Sequence, residues 1–423
     1  MTMISAAVRG GLSCAACALV TSACATRPSA GAAERNARAV ASARAEDARV
    51  ELHSLAAPFA TPSAERPMVL VSRPPGAALI VADRWTIAPW ASLPGRVRQA
   101  VVAPNGDVLA TDSDGATVLR LRDEDGDGVA EAPTVFARGL DLPFGIALNR
   151  SNADASSIGW LYVANTSGVV RWPYSAGDAV ARGRPQRVLA LPGHGYHQHW
   201  TRSIAIDERA HTLFVSVGSE TNVEPESDAR RAAITACALD GTSCRVFASG
   251  LRNATGLAIE PSTGALIAAV NERDELGDEL PPDYLTRVRE GGFYGWPYAY
   301  WGANEDPRRA GERPDLVARS IRPDFSLGAH AAPIAVLFAR ALGGDALVTL
   351  HGSWNRSRPH GYEVWRVHFE RGVPVSSTVF VRGWRIDERR AWGRPAGLAE
   401  APDGSVVLID DGSRTMFRLR PPR

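Results

Sequence analysis

The fold is decided by a stretch that runs AVVAPNGDVLATD from Ala100 to Asp112, where a Pro-Asn-Gly turn separates two short apolar strands. Asn-Gly and Asp-Gly pairs between apolar runs favour a tight hairpin. Near the C-terminus the same pattern returns as GLAEAPDGSVVLI, from Gly397 to Ile409. A pattern that recurs at both ends of a chain indicates an internal repeat, and a repeat is a stronger fold signal than local propensity.

Further copies of this pattern lie between the first two, and each joins apolar strands through a turn. The six copies cover residues 100–112, 145–164, 203–218, 256–270, 346–367 and 397–419. One copy is too small to bury its own faces, so the copies must pack on one another. Amphipathic helices of the length that an α/β fold needs do not separate them. The sequence therefore predicts an all-β, six-bladed β-propeller with four-stranded blades over residues 67–423, with ligand sites where loops meet the central channel.

The composition is that of an ordinary globular protein. Apolar residues make up 45% of the chain and charged residues 22%, and 47 Lys and Arg against 46 Asp and Glu leave a net charge of +1. This balance argues against nucleic acid or an anionic membrane surface as a partner. No Rossmann glycine fingerprint, Walker loop or Gly-x-Ser-x-Gly elbow occurs, so nicotinamide, nucleotide and serine-hydrolase functions lack support. We expect a small-molecule ligand.

The N-terminus has the features of an export signal. Arg9 supplies the positive end, and the apolar run from Leu12 to Val20 is too short to span a bilayer. Residues 1–25 are therefore predicted to be a signal peptide, with small residues near its end for cleavage. An Ala-rich terminus without a sorting role is the alternative.

The segment after the apolar run leaves the mode of attachment open. Cys24 is placed where it could accept the lipid of a bacterial lipoprotein, or cleavage could release the protein without a lipid. Residues 26–66 are predicted to form a partly disordered spacer, with a short Ala-rich helix over residues 32–50. We expect an exported, periplasmic protein, either free or anchored by a lipid.

Two cysteines lie outside the signal region. Cys237 and Cys244 flank an Asp240-Gly241 pair, which is a strong turn signal, so the thiols are expected to face each other across a hairpin. An oxidising compartment favours a disulfide between them. Two buried free thiols are the alternative.

An acidic stretch runs DEDGDGVAE from Asp123 to Glu131. Asp123, Asp125 and Asp127 occupy alternate positions, as in the first half of an EF-hand-like calcium loop. The glutamate due at position 12 of such a loop is absent, because that position is Thr134. The stretch predicts a structural calcium site completed by Glu131, and a plain acidic turn is the alternative.

A histidine-rich stretch, HGYHQHWTRSI over residues 194–204, leads directly into a strand of the repeat. A neutral imidazole can remove a hydroxyl proton, because its ordinary pKa lies near working pH. A histidine of this stretch is therefore a candidate general base. Two other interpretations stay open: His194, His197 and His199 together could bind zinc or copper, or His199 could be structural.

This stretch, together with SGLRNATGL over residues 249–257 and GGFYGWP over residues 291–297, resembles the pyrroloquinoline-quinone-dependent soluble glucose/sorbosone dehydrogenases, and the L-sorbosone dehydrogenase-like branch in particular. The resemblance implies a quinoprotein that oxidises an aldose or a sugar-derived aldehyde. It places His199 as the general base and Arg252 and Asn253 beside the quinone, where a guanidinium can stabilise developing negative charge. A surface loop with a structural arginine is the alternative.

The resemblance also implies a calcium ion beside the quinone, held in that family by backbone carbonyls in the segment that runs VNERDELG here, from Val270 to Gly277. Glu272 and Arg273 inherit that position. Glu272, Asp274 and Glu275 could add carboxylate oxygens, which a hard cation prefers. A solvated charged loop is the alternative.

In the C-terminal third the resemblance assigns the carboxylates of the quinone to Arg356 and Arg394, which can form charge-assisted hydrogen bonds. His330 takes the place of a tryptophan that packs on the quinone in the family. The glutamine that the family places near the sugar is missing around residues 141–145. These departures leave the sugar specificity open.

The resemblance further implies a respiratory electron acceptor and offers a homodimer as precedent. Two other functions stay open at this point. One is a calcium-dependent propeller lactonase without a quinone, and the other is a propeller that binds carbohydrate or protein without catalysis.

Overall fold

The structure, a computed structural model, describes residues 55–149, 159–193 and 199–422. Helix is confined in these ranges to α1 (Pro314–Arg319) and a single 3-10 turn (Arg340–Leu342). None of the described helices has the length and apolar character needed to cross a membrane. The predicted signal peptide, Cys24 and the predicted helix over residues 32–50 lie outside the described residues.

Strands make up most of the described chain. They are β1 (Val69–Leu70), β2 (Ile80–Val81), β3 (Thr86–Ser92), β4 (Val97–Val102), β5 (Val108–Asp112), β6 (Thr117–Leu121), β7 (Thr134–Arg138), β8 (Ile146–Asn149), β9 (Gly159–Asn165), β10 (Gly168–Tyr174), β11 (Gln186–Ala190), β12 (Arg202–Asp207), β13 (Thr212–Val217), β14 (Ala233–Ala238), β15 (Arg245–Ser249), β16 (Asn253–Ile259), β17 (Leu266–Asn271), β18 (Pro282–Arg287), β19 (Gly292–Phe293), β20 (Ala299–Tyr300), β21 (Asn304–Glu305), β22 (Phe325–Ala329), β23 (Pro333–Phe338), β24 (Ala346–Leu350), β25 (Glu363–Glu370), β26 (Val373–Arg382), β27 (Arg390–Ala391), β28 (Pro395–Glu400), β29 (Val406–Asp410) and β30 (Thr415–Arg420).

Six antiparallel sheets, each with four main strands, form the blades of a propeller. In chain order they are β4–β7, β8–β11, β12–β15, β16–β18 with β22, β23–β26, and β28–β30 with β3, here called blades 1 to 6. The two-residue strands β19 and β2 extend blades 3 and 5. Each copy of the sequence repeat lies in a different blade, so the predicted six-bladed propeller is confirmed.

The ring is closed by a strand from the N-terminal side of the domain. β3 pairs antiparallel with β30, with Thr86 opposite Arg420, and so becomes the outermost strand of blade 6 before the chain enters blade 1. Six clusters of buried apolar side chains lie between neighbouring blades, one for each of the six interfaces. Each blade therefore buries both faces, which a single copy could not do.

The glycine that begins several copies of the repeat is explained by crowding at the propeller axis. A Cβ on Gly145 would lie 2.5 Å from the carbonyl oxygen of Arg202, and one on Gly397 would lie 2.3 Å from that of Arg98. Only glycine lets the innermost strands of adjacent blades approach this closely. Between these strands runs a narrow channel, with a cavity of about 120 Å³ lined by residues from all six blades.

The second strand of a blade packs against a neighbouring blade on each side. All residues of β5 and of β29 are buried, which explains why their apolar runs do not alternate with polar residues. Polar residues follow directly at the ends of these strands. Asp410 at the end of β29, for example, accepts the backbone amides of Arg394 and Ser413 at 2.7 and 2.9 Å.

The two cysteines of blade 3 form a disulfide. Cys237 lies in β14 and Cys244 just before β15, with their Cα atoms 4.1 Å apart. The turn between them is held by the Asp240 carboxylate, which accepts the backbone amide of Thr242 at 2.9 Å. The predicted pairing across a hairpin is confirmed.

Candidate active site

A cavity of about 470 Å³ lies at one end of the channel. At this end the innermost strand of each blade begins and the second strand of each blade ends. Its volume falls within the roughly 300–1,000 Å³ of typical small-molecule sites. A smaller cavity of about 210 Å³, here called the side cavity, adjoins it. The two share six lining residues, which are His199, Asn253, Asn271, Asp274, Ala332 and Trp354.

The floor of the main cavity is apolar. Phe144, Trp200 and Ile334 form a small buried cluster of their own, and the Phe144 and Trp200 rings meet edge to face at 5.9 Å. Polar chemistry is therefore confined to the walls, where bound groups experience stronger electrostatic interactions than in water.

His199 lines both cavities, and its hydrogen bonds fix its tautomer. Its Nδ1 lies 2.9 Å from the carbonyl oxygen of Ser219 and 2.9 Å from the Ser219 hydroxyl. The carbonyl oxygen can only accept, and the hydroxyl donates its own hydrogen to the carbonyl of Thr221 at 2.6 Å. Nδ1 must therefore carry the proton. Nε2 is left with a lone pair that can accept a proton from a ligand.

The chain around His199 is held in an unusual conformation. His199 has a φ of +49°, in the left-handed region that side chains other than glycine seldom adopt. The buried guanidinium of Arg202 donates to the His199 carbonyl at 2.7 Å and so fixes this turn. A Cβ on Gly218 would lie 2.6 Å from the His199 Cβ and 2.4 Å from Asn253 Oδ1. Glycine at this position is therefore what lets His199 and Asn253 lie side by side.

The surroundings of His199 keep the imidazole neutral. Burial, reinforced by the nearby Arg252 cation, lowers the pKa of His199 from its ordinary 6.5 to about 3. Asp274 acts in the opposite direction but more weakly. His199 is therefore in its proton-accepting form at any pH near neutrality.

Arg252 is almost completely buried and joins three segments of the wall. It donates to the backbone carbonyl of Glu272 at 2.6 Å, to the side-chain oxygen of Asn222 at 2.9 Å and to the Asp274 carboxylate at 3.2 Å. The Glu272 carbonyl is one of the oxygens that the resemblance assigns to calcium, and a carbonyl has a second lone pair for an ion. The contacts fix the guanidinium rigidly beside His199 and Asn253 at the cavity wall.

Two buried carboxyl groups line the side cavity. Burial raises the pKa of Glu272 to about 8 and that of Asp283 to about 6. Asp283 accepts the backbone amides of Glu272 and Ala332 at 2.7 and 2.8 Å. The Oε1 atom of Glu272 is buried and has no hydrogen-bond partner among the described residues. A cation in the side cavity would supply that partner and favour the ionised carboxylates.

Asp274 and His330 form a polar pair between the two buried carboxyls and Arg252. His330 Nδ1 lies 3.5 Å from the Asp274 carboxylate, and its Nε2 donates to the carbonyl of Gly277 at 2.9 Å. Burial acts to raise the pKa of Asp274, but His330 and Arg252 outweigh it and leave the pKa below its usual value. Burial likewise acts to lower the pKa of His330, and Asp274 outweighs it.

The facing wall of the main cavity contains Arg98 and His351, which share one carboxylate. Asp411 accepts from Arg98 Nε at 2.6 Å and from His351 Nε2 at 2.8 Å. Burial and the nearby Arg394 lower the pKa of His351 to about 4. Burial acts to raise the pKa of Asp411, but His351 and Arg98 hold it well below its usual range. With His351 neutral, this wall presents a cation that can bind an anionic ligand.

The structure thus brings together seven of the residues predicted for the site. Glu275 lines the main cavity, and the side cavity is lined by His199, Arg252, Asn253, Glu272, Asp274 and His330. The predicted site residues whose side chains are not among the lining residues of either cavity are Arg273, Arg356 and Arg394.

The contacts of these three arginines explain their placement. The buried side chain of Arg273 pairs with Asp306 at 2.9 Å. Arg356 is held by the Asp278 carbonyl at 2.6 Å and by the Glu279 carboxylate. Arg394 lies behind the Arg98 wall and donates to the His351 carbonyl at 3.0 Å. His194 and His197, the other members of the alternative metal site, lie outside the described residues.

The acidic stretch of blade 1 forms a separate cluster that lines neither cavity. Oxygens of Asp123, Asp125 and Glu131 lie within 4.8 Å of one another, and this is the one such set of three among the described residues. Asp127 is not part of the set, and its carboxylate accepts the backbone amide of Val129 at 2.8 Å. The structure thus brings together three of the four predicted ligands.

Several lining residues were missed by the sequence analysis, among them Arg98, Asn271 and His351. One signal could have found most of them. Asn271 ends β17, His351 follows β24 and Asp411 follows β29, so each stands at the end of a second strand. The ends of all second strands converge on one end of the channel, which makes a polar residue there a site candidate.

Comparison with known proteins adds a family match. The sequence model of the TrAA12-like family matches residues 79–384. An uncharacterised protein of Borreliella burgdorferi is 27% identical over 54% of this chain and 62% of its own length. A pyrroloquinoline quinone-dependent pyranose dehydrogenase of Coprinopsis cinerea is 25% identical over 47% of this chain. The chain spans 34% of the length of that second relative.

Solved structures show the same fold. The holo form of the pyranose dehydrogenase quinone domain from Coprinopsis cinerea superposes with a TM-score of 0.69 at 20% identity, covering 82% of this chain and 98% of that one. A calcium structure of a family AA12 enzyme from Trichoderma reesei gives a TM-score of 0.69 at 21% identity, over 84% and 98% of the two chains. At these identities the likeness shows the propeller fold alone.

Proposed function

Because this chain belongs to the TrAA12-like family, we propose that it is a quinoprotein oxidoreductase that oxidises a sugar with pyrroloquinoline quinone as its cofactor. The predicted resemblance to quinone-dependent sugar dehydrogenases is confirmed at the level of the family. One observation carries the proposal. His199, with its Nε2 free to accept a proton, lies beside Arg252 in the side cavity and also lines the main cavity, whose facing wall presents a second arginine, Arg98.

The residues of the two adjoining cavities fit an anionic, planar cofactor. A quinone with three carboxylates needs cations that are fixed in place, and Arg252 and Arg98 are both held by carboxylates, Asp274 and Asp411. The volume of about 470 Å³ is that of a small-molecule site. We therefore assign the cofactor carboxylates to Arg98 and Arg252 rather than to Arg356 and Arg394.

The side cavity fits a calcium ion that binds together with the cofactor. It offers the unpartnered Oε1 of Glu272 and the carboxylates of Asp274 and Asp283. The oxygens of these three carboxylates do not all lie within 4.8 Å of one another. Among the described residues, only the blade 1 cluster has three carboxylates that close together. Oxygens of the cofactor are therefore needed to complete the shell of six to eight oxygens that calcium prefers.

The bound quinone would supply the two-electron acceptor that takes hydride from the carbon of the sugar being oxidised. His199 Nε2 accepts the proton of the hydroxyl on that carbon, so that a C–H and an O–H bond break and a C=O bond forms. The Ser219 carbonyl and hydroxyl, 2.9 Å from Nδ1, stabilise the imidazolium that results. Arg252 supplies fixed positive charge where negative charge develops.

The low pKa of His199 belongs to the protein without its anionic ligand. Arg252 is the cation that, after burial, lowers this pKa most. An anion that binds beside Arg252 offsets this cation, so we expect the pKa of His199 to rise in the loaded enzyme. The base then becomes strong enough to accept the proton while it stays neutral before reaction.

The substrate class that we propose is a pyranose aldose, and a sugar-derived aldehyde is the second choice. The Coprinopsis cinerea relative is named for pyranose oxidation with this quinone. The electrons then pass to a respiratory acceptor outside the cytoplasm. The disulfide between Cys237 and Cys244 supports an oxidising compartment, as does the predicted export signal.

Reconstitution tests the proposal. The purified apo protein is titrated with the quinone in the presence and absence of calcium, and the absorbance of the bound cofactor is followed. We expect saturable binding that requires calcium, and sugar-dependent reduction of a dye only in the reconstituted protein. Full dye reduction by a protein free of quinone would overturn the proposal, as would a failure to bind the quinone.

A further inference from the structure

Residues 59–66, here called the strap, cross the outside of two loops that carry site residues. The first, here called the acidic loop, comprises residues 272–279 after β17. The second, here called the Trp354 loop, comprises residues 351–361 after β24. The strap lies on the N-terminal side of the first blade. Farther along the same segment, β2 joins blade 5 and β3 joins blade 6.

The first half of the strap is bonded to the acidic loop. Phe59 donates its backbone amide to the carbonyl of Leu276 at 2.9 Å, and the Thr61 hydroxyl accepts the backbone amide of Asp278 at 2.8 Å. Between them Gly277 has a φ of +110°, and a Cβ there would lie 3.2 Å from both oxygens of Thr61. The acidic loop and the strap therefore pack so closely at Gly277 that a side chain there would press on Thr61.

The second half of the strap is bonded to the Trp354 loop. Arg66 donates its backbone amide to the carbonyl of Trp354 at 2.6 Å, and its guanidinium donates to the carbonyl of Ser357. Asn355 donates its side-chain amide to the carbonyl of Ala64 at 3.0 Å. The same Asn355 side chain accepts the backbone amide of Glu275 at 2.8 Å, so it joins the strap to both loops.

The two loops deliver their side chains to the same place in the cavity. Asp274, on the acidic loop, holds Arg252, and Trp354 lines both the main and the side cavity. Trp354 is 41% exposed, which is unusual for so large an apolar side chain in a site wall. A flat ring bound in the cavity would cover it by stacking.

We propose that the strap is a positioning element of the site, which holds Trp354 and the Asp274–Arg252 pair at the spacing that a bound ring system requires. This inference rests on the proposed function for the identity of the ring, which is the quinone. No residue of the strap lines either cavity. It acts through the loops and sets how tightly the cofactor is held.

The two loops are also bonded directly to each other. Ser357 donates its backbone amide to the Asp278 carboxylate at 3.0 Å, and Arg356 donates to the Asp278 carbonyl at 2.6 Å. These direct bonds remain when strap side chains are removed. Loosening the strap should therefore change the position and mobility of the loops while the blades stay intact.

The test uses the full chain with Thr61→Val and Arg66→Ala combined, which removes one side-chain bond to each loop. The matched control is Thr242→Val with Arg245→Ala, which deletes a Thr hydrogen bond and an Arg ion pair on the outer hairpin of blade 3. The conservative pair Thr61→Ser with Arg66→Lys serves as a rescue. Two readouts are taken: amide hydrogen exchange of the apo protein, and the quinone Kd with calcium present.

In the strap variant we expect faster exchange in the peptides that cover both loops, with unchanged exchange in the blade strands. We expect the quinone Kd to rise about 3- to 30-fold, because the variant loses one side-chain hydrogen bond to each loop while the loops keep some of their order. The control should match wild type in both readouts. The rescue pair should restore most of the affinity.

Loop exchange or a quinone Kd equal to the control would overturn the proposal. The exchange readout is independent of the proposed function. If wild type binds no quinone, the proposed function is wrong. Hydrogen exchange in the loops that is the same in the strap variant and the control would show, separately, that the strap does not order the loops.

Discussion

The two walls of the main cavity are built in different ways. The His199 wall, formed by His199, Asn253 and the acidic loop, with Arg252 beside it in the adjoining side cavity, comes from blades 3 and 4, which follow each other in the sequence. The Arg98 wall joins Arg98 to Asp411, which is 313 residues away, and His351 to the same carboxylate. The first wall could be recognised from contiguous motifs. The second exists only because the propeller closes into a ring.

The walls also differ in charge chemistry. The His199 wall combines a neutral base, one arginine and several carboxyl groups, two of them with a raised pKa. The Arg98 wall combines a fixed cation with a neutral imidazole and a carboxylate whose pKa is held low by its partners. We infer that proton transfer belongs to the first wall, and that the second wall serves only to bind the anionic part of the cofactor, a role that Arg252 shares. The predictions below separate these roles.

The largest effect is expected for His199→Ala in the His199 wall. Loss of a positioned general base lowers turnover by about 10²- to 10⁴-fold. The quinone Kd should stay near that of wild type, because the cofactor is held by arginines and calcium. Dye-linked sugar oxidation by the reconstituted protein measures the first quantity, and quinone titration the second.

His211→Ala provides the matched control, since His211 is an exposed histidine in the turn between β12 and β13 of the same blade. It should behave as wild type in both assays. If His199→Ala turned over sugar as fast as this control, His199 would not be the base.

A somewhat smaller effect is expected for Arg252→Ala, which should lower turnover about 10²- to 10³-fold and also weaken quinone binding. Arg252 contacts Asp274 and the Glu272 carbonyl, so its loss removes positive charge and loosens the wall. Thermal unfolding of the apo variant checks that the propeller still folds. Wild-type turnover by the variant at saturating quinone would show that Arg252 does not stabilise developing charge.

Arg98→Ala tests the other wall and should act mainly on binding. Charge-assisted hydrogen bonds contribute about 1.5–3 kcal/mol, so the quinone Kd should rise roughly 10- to 100-fold. Turnover at saturating quinone should fall far less than in His199→Ala. Arg340→Ala is the control, because Arg340 forms an exposed ion pair with Glu400 away from the cavity. An unchanged quinone Kd would show that Arg98 does not bind the cofactor carboxylates.

The pH dependence of stability should reflect the buried histidines of both walls. In the folded apo protein the pKa values of His199 and His351 are about 3 and about 4, against 6.5 ordinarily. Between these values each histidine binds a proton in the unfolded chain but not in the folded one, so the contribution of each to stability falls as pH falls below about 6.5. Glu272 and Asp283, whose pKa values are raised, act in the opposite direction and are the same in wild type and variant. Urea unfolding at pH 7 and pH 4.5 should show that His199→Gln loses less stability on acidification than wild type. An equal loss would mean that His199 does not titrate as proposed.

The smallest effect is expected for the acidic stretch of blade 1, which belongs to neither wall. If it binds calcium, a free concentration about tenfold above the Kd stabilises the apo protein by about 1.4 kcal/mol. Asp125→Asn should abolish this gain and leave quinone binding unchanged. Asp127→Asn should keep the gain, because the structure leaves Asp127 out of the cluster. Calcium-dependent thermal unfolding without quinone measures all three proteins.

The fold was predictable because its signal is repeated. The glycine at the start of inner strands and the buried runs of second strands follow from packing that every blade shares, so six weak copies reinforce one another. The closing strand β3 carries no such copy. Its partner β30 lies at the opposite end of the chain, and only the completed ring shows that they pair.

The site was predictable where the residues that act together are also close in sequence. Arg252, Asn253 and Glu272 lie within or beside two consecutive strands, β16 and β17. Arg356 was assigned to the cofactor on resemblance, yet the acidic loop supplies Glu279 and the Asp278 carbonyl, which hold it. Whether an arginine faces a ligand or a neighbouring loop depends on contacts across blades, which no local pattern contains.

One measurement tests the central claim most directly. Wild type reconstituted with quinone and calcium is mixed rapidly with an aldopyranose in the absence of any electron acceptor, and the cofactor absorbance is followed, with His199→Ala alongside. The account predicts that one equivalent of cofactor is reduced in a single fast phase by wild type, and about 10²- to 10⁴-fold more slowly by the variant at similar cofactor occupancy. Equal rates in the two proteins, or a bound cofactor that the sugar does not reduce, would contradict it.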